Sequence, residues 1–220
     1  MKKVLLICAH PDDEAYGLGA TLHYMTYNKK WDVTLLTFTD GVNCKKDDAD
    51  TILHQLKTSC RILGIKDHIE FCLKDQELET YPLGELVAGI QYEVNRLRPE
   101  LVLTHNSTDL NLDHRVLFEA TMVACRPKSD CSIKKVWTYE IPSSTNWGFG
   151  EFGSFEPNIF IPTTVRGLTV KTNAIRCYTN ELEKPPNARS IEAVQTLCKY
   201  RGNTIGVHYA EAFKLIRGII

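Results

Sequence analysis

The chain of 220 residues is 43% hydrophobic and 24% charged, which excludes a collagen, a coiled coil and a largely disordered protein. Lys and Arg total 26 and Asp and Glu total 27, so a formal net charge of -1 provides no basic field for binding nucleic acid. Domains usually contain roughly 100–200 residues, and we therefore expect one domain over residues 1–220.

The eight cysteines contain no C-x-x-C pair, which argues against zinc-ribbon and thioredoxin-like sites. We expect them to be small core hydrophobes, with Cys8 in a strand and Cys60 and Cys198 on apolar helix faces. The apolar run near Met1 is shorter than the roughly 7–15 residues of a signal-peptide core. No stretch approaches the roughly 20 apolar residues of a membrane span. The sequence therefore predicts a cytoplasmic protein with reduced thiols and no membrane span.

Apolar runs and helical periodicities alternate along the first two thirds of the chain. The predicted strands are Val4–Ala9, Asp32–Thr39, Ile69–Leu73, Leu101–Thr104 and Lys134–Glu140. The predicted helices are Ala15–Asn28, Asp48–Leu63 with Gly64 as its C-cap, Leu83–Leu97 and Leu112–Cys125. Such alternation favours an α/β protein with a mostly parallel sheet and helices on both faces.

The last third of the chain is less regular. Pro142–Pro157 interleaves Gly and Ser with aromatic residues, and a loop of that length is usually functional or disordered. The segments Thr169–Tyr178, Ser190–Arg201 and Tyr209–Arg217 are predicted as helices that pack on the same body.

A His and three acids directly follow the first predicted strand, as His10-Pro11-Asp12-Asp13-Glu14. One interpretation is a helix start, with Asp12 or Asp13 as N-cap and Glu14 in the first turn. However, ligands of parallel α/β sheets bind beyond the carboxyl ends of the strands, where this cluster lies. Adjacent carboxylates repel one another unless a cation or a proton relieves them. His with Asp or Glu suits zinc or another borderline divalent ion.

A second cluster, running from His105 to Arg115, follows the predicted strand Leu101–Thr104. A catalytic zinc takes three protein ligands and leaves one position for water. The residues available as ligands are His10, one of Asp12, Asp13 or Glu14, and either His105 or His114. The spacing alone does not choose among them.

These residues carry a family resemblance. Ala9-His10-Pro11-Asp12-Asp13-Glu14 resembles the signature of the PIG-L / LmbE family of zinc-dependent N-deacetylases, and Asp109-x-Asn111-x-Asp113-His114-Arg115 resembles its second metal motif. Weaker similarities reach residue 213, so the resemblance covers nearly the whole chain. It implies a Rossmann-like three-layer sandwich and removal of an N-acetyl group from an amino sugar, either free or linked to a nucleotide or lipid. The sequence is compatible with either a monomer or a homo-oligomer.

The resemblance also implies roles for individual residues. It assigns zinc to His10, Asp13 and His114 and the role of general base to Asp12. Asp113 would then orient the neighbouring ligand. Many members carry a His where this chain has Asn111, and an amide cannot act as an acid near neutral pH. His105 either replaces that His in stabilising the oxyanion or merely caps its strand.

Five residues are candidates for contacts with the substrate. Glu14 either orients the turn or meets a sugar hydroxyl, and Asp40 follows a strand at the same rim. Trp147 offers a flat ring for sugar stacking, unless its loop only packs on itself. Arg189 either holds a phosphate or forms a surface pair. Glu211 is either a structural hydrogen-bonding residue or part of the pocket wall.

The sequence therefore predicts a zinc-dependent hydrolase that releases acetate from an amino sugar. One alternative is an amidase acting on a non-acetyl amide of a sugar or thiol conjugate. Another is a sugar-binding module that keeps the metal without catalysis, which Asn111 favours. A third is a nucleotide-dependent transferase that holds Mg²⁺ through oxygen ligands alone.

Overall fold

The computed structural model describes residues 1–42 and 48–219, which form a seven-stranded sheet and six α-helices. The strands are Lys3–Cys8 (β1), Asp32–Thr39 (β2), Asp67–Leu73 (β3), Leu101–His105 (β4), Lys135–Tyr139 (β5), Ile159–Thr163 (β6) and Tyr209–Gly218 (β7). The helices are Asp13–His23 (α1), Ala49–Leu63 (α2), Leu83–Leu97 (α3), Leu112–Ala124 (α4), Val165–Ile175 (α5) and Ile191–Asn203 (α6).

The sheet has the strand order β3-β2-β1-β4-β5-β7-β6. The five strands from β3 to β5 are parallel, and β7 runs antiparallel to both of its neighbours. This arrangement confirms the mostly parallel, Rossmann-like α/β sheet expected from the sequence. It also makes β1 and β4 neighbours, so the residues that follow them share one edge of the sheet.

Alternate residues of β1 point to opposite faces of the sheet, and both faces are covered. Val4 and Leu6 join a core packed under α1, α2, α5 and α6, whereas Leu5 and Ile7 join one packed under α3 and α4. Each of these side chains is at most 2% exposed. Burial on both faces explains why β1 reads as a continuous apolar run.

The predicted helix Tyr209–Arg217 is wrong, because this segment is strand β7. Its Ala and Glu residues suit a helix locally, but β5 and β6 pair with it on both sides and satisfy its backbone hydrogen bonds. Strand β6 escaped prediction. It contains Pro162, which an edge strand tolerates because one side of its backbone needs no ladder partner.

Other boundaries differ by less. The predicted helix Ala15–Asn28 corresponds to α1 followed by a π-helical turn at Tyr24–Asn28. Gly64 ends α2 with φ 77°, as predicted. Cys8, Cys60 and Cys198 are buried, whereas Cys72 is exposed, against the expectation that all cysteines lie in the core; Cys44 is outside the described residues. Within the described ranges, none of the helices combines the length and apolarity that crossing a bilayer requires.

Helix α1 is broken at Leu18, whose φ of -147° and ψ of 26° are not helical. The break leaves backbone groups in need of partners. The Glu211 carboxylate accepts hydrogen bonds from the backbone N–H groups of Ala20 and Thr21 at 3.2 and 2.6 Å. Lys171 Nζ donates to the Tyr16 carbonyl at 2.7 Å and to Glu211 Oε1 at 2.6 Å. A buried ion pair between α5 and β7 therefore holds the two halves of α1 together.

We expect Lys171→Met to destabilise the fold by about 3–5 kcal/mol, because it leaves the Glu211 carboxylate buried without its partner. Both side chains of the pair are only 3% exposed. Lys199→Met, at an exposed position of α6, is the matched control and should change stability little. Urea unfolding followed by circular dichroism measures both, and equal midpoints for the two variants would contradict the structural role of the pair.

Candidate metal centre

Two histidines and a carboxylate converge at the carboxyl ends of β1 and β4. His10 and Asp13 follow β1, and His114 lies in the first turn of α4. Their candidate ligand atoms all lie within 4.8 Å of one another, and all three residues are buried. The cluster stands at the sheet edge where the sequence placed it.

The three side chains present two imidazole nitrogens and one carboxylate to a common point. His10 Nδ1 lies 3.1 Å from His114 Nε2, and Asp13 oxygens lie 3.6 and 3.5 Å from these two nitrogens. Two facing ring nitrogens repel unless a proton or a metal ion lies between them. Two imidazoles and one carboxylate that meet at one point fit the three protein ligands of a catalytic zinc ion.

The surrounding carboxylates favour positive charge at this point. Burial lowers the pKa of an imidazole, but Asp13 and Asp109 outweigh it at His114 and raise the pKa to about 9. Burial also opposes protonation of His10, yet hydrogen bonding to carboxylates, that of Asp113 foremost, raises its pKa well above the ordinary value. The carboxylates around the two imidazoles therefore favour a cation at this point, either a proton or a metal ion.

Carboxylates also hold the outer nitrogens of the two histidines. His10 Nε2 lies 3.1 Å from both Asp113 Oδ2 and Asp75 Oδ1, and His114 Nδ1 lies 3.2 Å from Asp109 Oδ2. Such contacts orient a metal-binding imidazole and raise its basicity. Asp113 thus supports a ligand, and the ligand it supports is His10 rather than its neighbour in sequence.

Asp113 also ties the site to the loop after β3. Its two oxygens accept hydrogen bonds from the backbone N–H groups of Gln76 and Leu78 at 2.9 and 3.0 Å. This loop carries Asp75 and Gln76, which the sequence analysis missed. The available signal was their position after a predicted strand at the same rim, but neither stands in a recognisable motif.

Asn111 is the N-cap of α4. Its Oδ1 accepts from the backbone N–H groups of Asp113 and His114 at 2.9 and 3.4 Å, and its Nδ2 donates to Gln76 Oε1 at 3.3 Å. The oxygen of this side chain is therefore committed to the helix. The amide N–H group is the part of Asn111 with capacity to stabilise an oxyanion.

His105 lies at the end of β4 and is completely buried. Its ring stacks on His114 with centroids 3.8 Å apart, and its Nε2 accepts from the Ala9 backbone N–H at 2.9 Å. Burial lowers the pKa of His105 to about 4, so the ring is neutral. These contacts correspond to the strand-capping alternative, in which His105 supports a ligand ring.

Glu14 is fully buried and hydrogen-bonds the backbone of the turn that follows β1. Ser59 Oγ and Tyr178 OH donate to its Oε1 at 2.5 and 2.6 Å, and the Asp12 backbone N–H donates to Oε2 at 3.1 Å. Burial raises the pKa of Glu14 to about 7. Both oxygens are engaged inside the protein, so these contacts correspond to the orienting role and not to a sugar contact.

Asp12 and Arg189 meet beside the metal cluster. Arg189 Nη2 donates to Asp12 Oδ2 at 2.5 Å, although 177 positions separate the two residues. Asp12 is 4% exposed. The sequence predicts that Arg189 meets a phosphate or a surface acid. Its guanidinium is instead paired with Asp12, to which the family resemblance assigns the role of general base.

The other candidate substrate contacts have different surroundings. Asp40 accepts from the Val42 backbone N–H at 3.0 Å and lines the same cavity as Pro11. Trp147 is 44% exposed in a short 3-10 turn, and it remains a candidate for sugar stacking. Glu211 is occupied by Lys171 and the backbone of α1, which corresponds to the structural alternative for that residue.

Residues 5–125 match the family model described as PIG-L: GlcNAc-PI de-N-acetylase, which is more than half of the chain. The chain belongs to this family. The matched range includes the whole cluster of His10, Asp13 and His114 but not Arg189.

The chain is also similar to a curated relative, and solved structures share its fold. Diacetylchitobiose deacetylase from Thermococcus kodakarensis is 29% identical over 238 residues, covering 100% of this chain and 85% of that protein. The conserved protein TT1542 from Thermus thermophilus has a TM-score of 0.82 at 21% identity, with 100% and 97% of the two chains covered. N,N'-diacetylchitobiose deacetylase from Pyrococcus horikoshii, complexed with its inhibitor MPG, has a TM-score of 0.77 at 22% identity, with 99% and 84% covered.

If the cluster is a zinc site, we expect His114→Ala to abolish tight zinc binding, because it removes one of the three clustered ligands. Zinc content after dialysis, measured by mass spectrometry, should fall from about one ion per chain to near zero. His54→Ala, at an exposed position of α2, is the control and should retain zinc. A His114→Ala variant with wild-type zinc content would exclude this cluster as the metal site.

Proposed function

We propose that the protein is a zinc-dependent hydrolase that removes the N-acetyl group from an amino sugar or an amino-sugar conjugate. The convergence of His10, Asp13 and His114 on one point, with Asp12 directly before Asp13 in the chain, carries this proposal. Family membership and the deacetylase names of relatives support the reaction class. We also propose that residues 1–220 form one catalytic domain that works in the cytoplasm.

Asp12 acts as the general base in this proposal. When bound, zinc would supply Lewis acidity that lowers the pKa of water towards about 7 and polarises the amide carbonyl. Asp12 takes the proton from the attacking water and later returns it to the leaving amine. A carboxylate suits both steps because it accepts a proton and, once protonated, donates one.

Asn111 stabilises the oxyanion in this proposal, through its Nδ2–H group. Its oxygen caps α4, and its amide group turns towards Gln76 at the rim of the metal cluster. The alternative donor, His105, is fully buried behind His114 and accepts a backbone hydrogen bond. Hydrogen-bond donors directed at developing negative charge are worth about 10²–10³ in rate.

The substrate is an amino sugar that carries its acetamido group to the metal cluster. Asp40 and Trp147 are the proposed sugar contacts, because the first lies near the turn and the second exposes a flat ring. No nucleic acid partner is proposed, since a net charge of -1 gives the surface no basic field. The substrate screen identifies whether a nucleotide, lipid or second sugar is attached. Light scattering measures whether copies of the chain associate.

A screen for acetate release tests the proposal. The zinc-loaded protein is incubated with N-acetylglucosamine, N,N'-diacetylchitobiose, N-acetylglucosaminyl lipids and nucleotide sugars, and acetate is measured enzymatically. Release that stops on chelation and returns with zinc is expected. Release of a larger acid from other amides, with no acetate from this panel, would favour the amidase alternative instead.

We expect Asp12→Asn to lower kcat by about 10²–10⁴-fold, because the amide cannot accept the water's proton. Zinc content should remain at the wild-type level, since Asp12 is not among the clustered ligands. Steady-state acetate release and metal analysis on the same preparation check both points. Full activity in this variant would mean that another group is the base.

A metal-retaining sugar-binding module is the second candidate, and Asn111 is the observation that favours it. An amide at that position cannot protonate a leaving group. In that case the protein would bind N-acetyl sugars in calorimetry but release no acetate from any of them. A transferase with Mg²⁺ is disfavoured, because the clustered ligands include two imidazoles, whereas Mg²⁺ prefers oxygen ligands.

A further inference from the structure

The contact between Arg189 and Asp12 joins the end of β1 to a segment that precedes α6. Arg189 Nη2 lies 2.5 Å from Asp12 Oδ2, and the two side chains are 17% and 5% exposed. A charge-assisted hydrogen bond between a guanidinium and a carboxylate is among the stronger polar contacts in a protein. Because Asp12 is the proposed general base, a hydrogen bond to its carboxylate can affect catalysis.

Arg189 is itself held in place from three directions. Its guanidinium stacks over the Tyr16 ring at 4.2 Å, and its Nη2 lies 3.0 Å from Glu181 Oε2. Its Nε donates to the Glu181 carbonyl at 3.4 Å. Tyr16 OH contacts the backbone carbonyls of both Glu181 and Arg189, at 3.1 and 3.2 Å. The guanidinium is therefore a fixed donor and not a mobile surface charge.

The backbone of Asp12 needs such support. Its φ of 127° is a conformation that side-chain-bearing residues rarely adopt, and it persists only where surrounding contacts impose it. The Asp12 carbonyl accepts from the N–H groups of Ala15 and Tyr16 at 3.0 Å each, and its N–H donates to Glu14. These bonds fix the main chain, and Arg189 fixes the side chain.

We propose that Arg189 is a positioning residue that holds the carboxylate of Asp12 in the orientation required of the general base. The inference rests on the proposed deacetylase function. Arg189 lies outside residues 5–125, the range that matches the family model, so the family motifs by themselves do not supply this role.

The chemistry of arginine suits this task. Its guanidinium stays protonated throughout a proton-transfer cycle, so it neither competes for the water's proton nor loses its own hydrogen bond. By binding one carboxylate oxygen, it restricts rotation of the Asp12 side chain. A misplacement of about 1 Å at a reacting group can cost on the order of 10² in rate.

A double-mutant cycle tests this role with the zinc-loaded full-length protein. Arg189→Gln is expected to lower kcat by on the order of 10²-fold while KM and zinc content stay near wild type. In the Asp12→Asn background the same substitution should cause no further loss, because a residue that acts only through Asp12 has nothing left to position. Arg189→Lys retains a cationic donor and should recover part of kcat. Arg96→Gln, at the Glu93 pair on α3, is the control and should leave kcat unchanged.

The readouts separate this role from its rivals. An equal fold-loss from Arg189→Gln in both backgrounds, or a loss confined to KM, would overturn the proposal and make Arg189 a substrate-binding residue. A collapse of the unfolding midpoint with loss of zinc would overturn it in favour of a purely structural contact. If the wild-type protein releases no acetate from any substrate in the panel, the proposed function fails and this inference fails with it.

Discussion

Burial of negative charge is the constraint on which the rest of the site depends. Six carboxylates at the sheet edge are each at most 4% exposed, and they are Asp12, Asp13, Glu14, Asp75, Asp109 and Asp113. An uncompensated buried charge costs several kcal/mol, so each of these groups requires a cation or hydrogen-bond donors. Arg189 compensates Asp12, Ser59 and Tyr178 hold Glu14, and the two imidazoles of His10 and His114 meet the others. A divalent cation between the imidazoles would complete the same balance.

The fold brings these compensating groups together from distant parts of the chain. His10 and Asp13 follow strand β1, and Asp75 lies in the loop after β3. Helix α4 carries His114 and Asp113, and the segment before it carries Asp109. The last third of the chain contacts the same turn through Arg189, which pairs with Asp12. The buried Lys171–Glu211 pair holds the broken helix α1 that begins in this turn. The region beyond the family match therefore supports the motif that defines the family.

Much of the fold is legible in the sequence because strands buried on both faces, such as β1, must be apolar along their length. Strand β7 could not be recognised in the sequence. Its run of Ala, Glu and Phe has no strong local strand preference, and the segment is a strand because it pairs with β5 and β6. The same distinction applies to the site. The run from His10 to Glu14 is dense enough in ligand chemistry to be recognised. By contrast, Asp75 gains its role only from its contact with His10, and Gln76 only from its hydrogen bond to Asp113.

The sequence by itself determined the α/β class, the edge of the sheet where the candidate site lies and the residue types of the candidate metal cluster. Tertiary structure decided how the remaining polar residues are used. Glu14 and Glu211, open to a substrate role in the sequence, are enclosed by internal donors, and Arg189 is drawn to Asp12 across 177 positions. Residue type fixes what a side chain can bind, but its partner is set by burial, which forces each buried charge to meet an opposite charge or a donor.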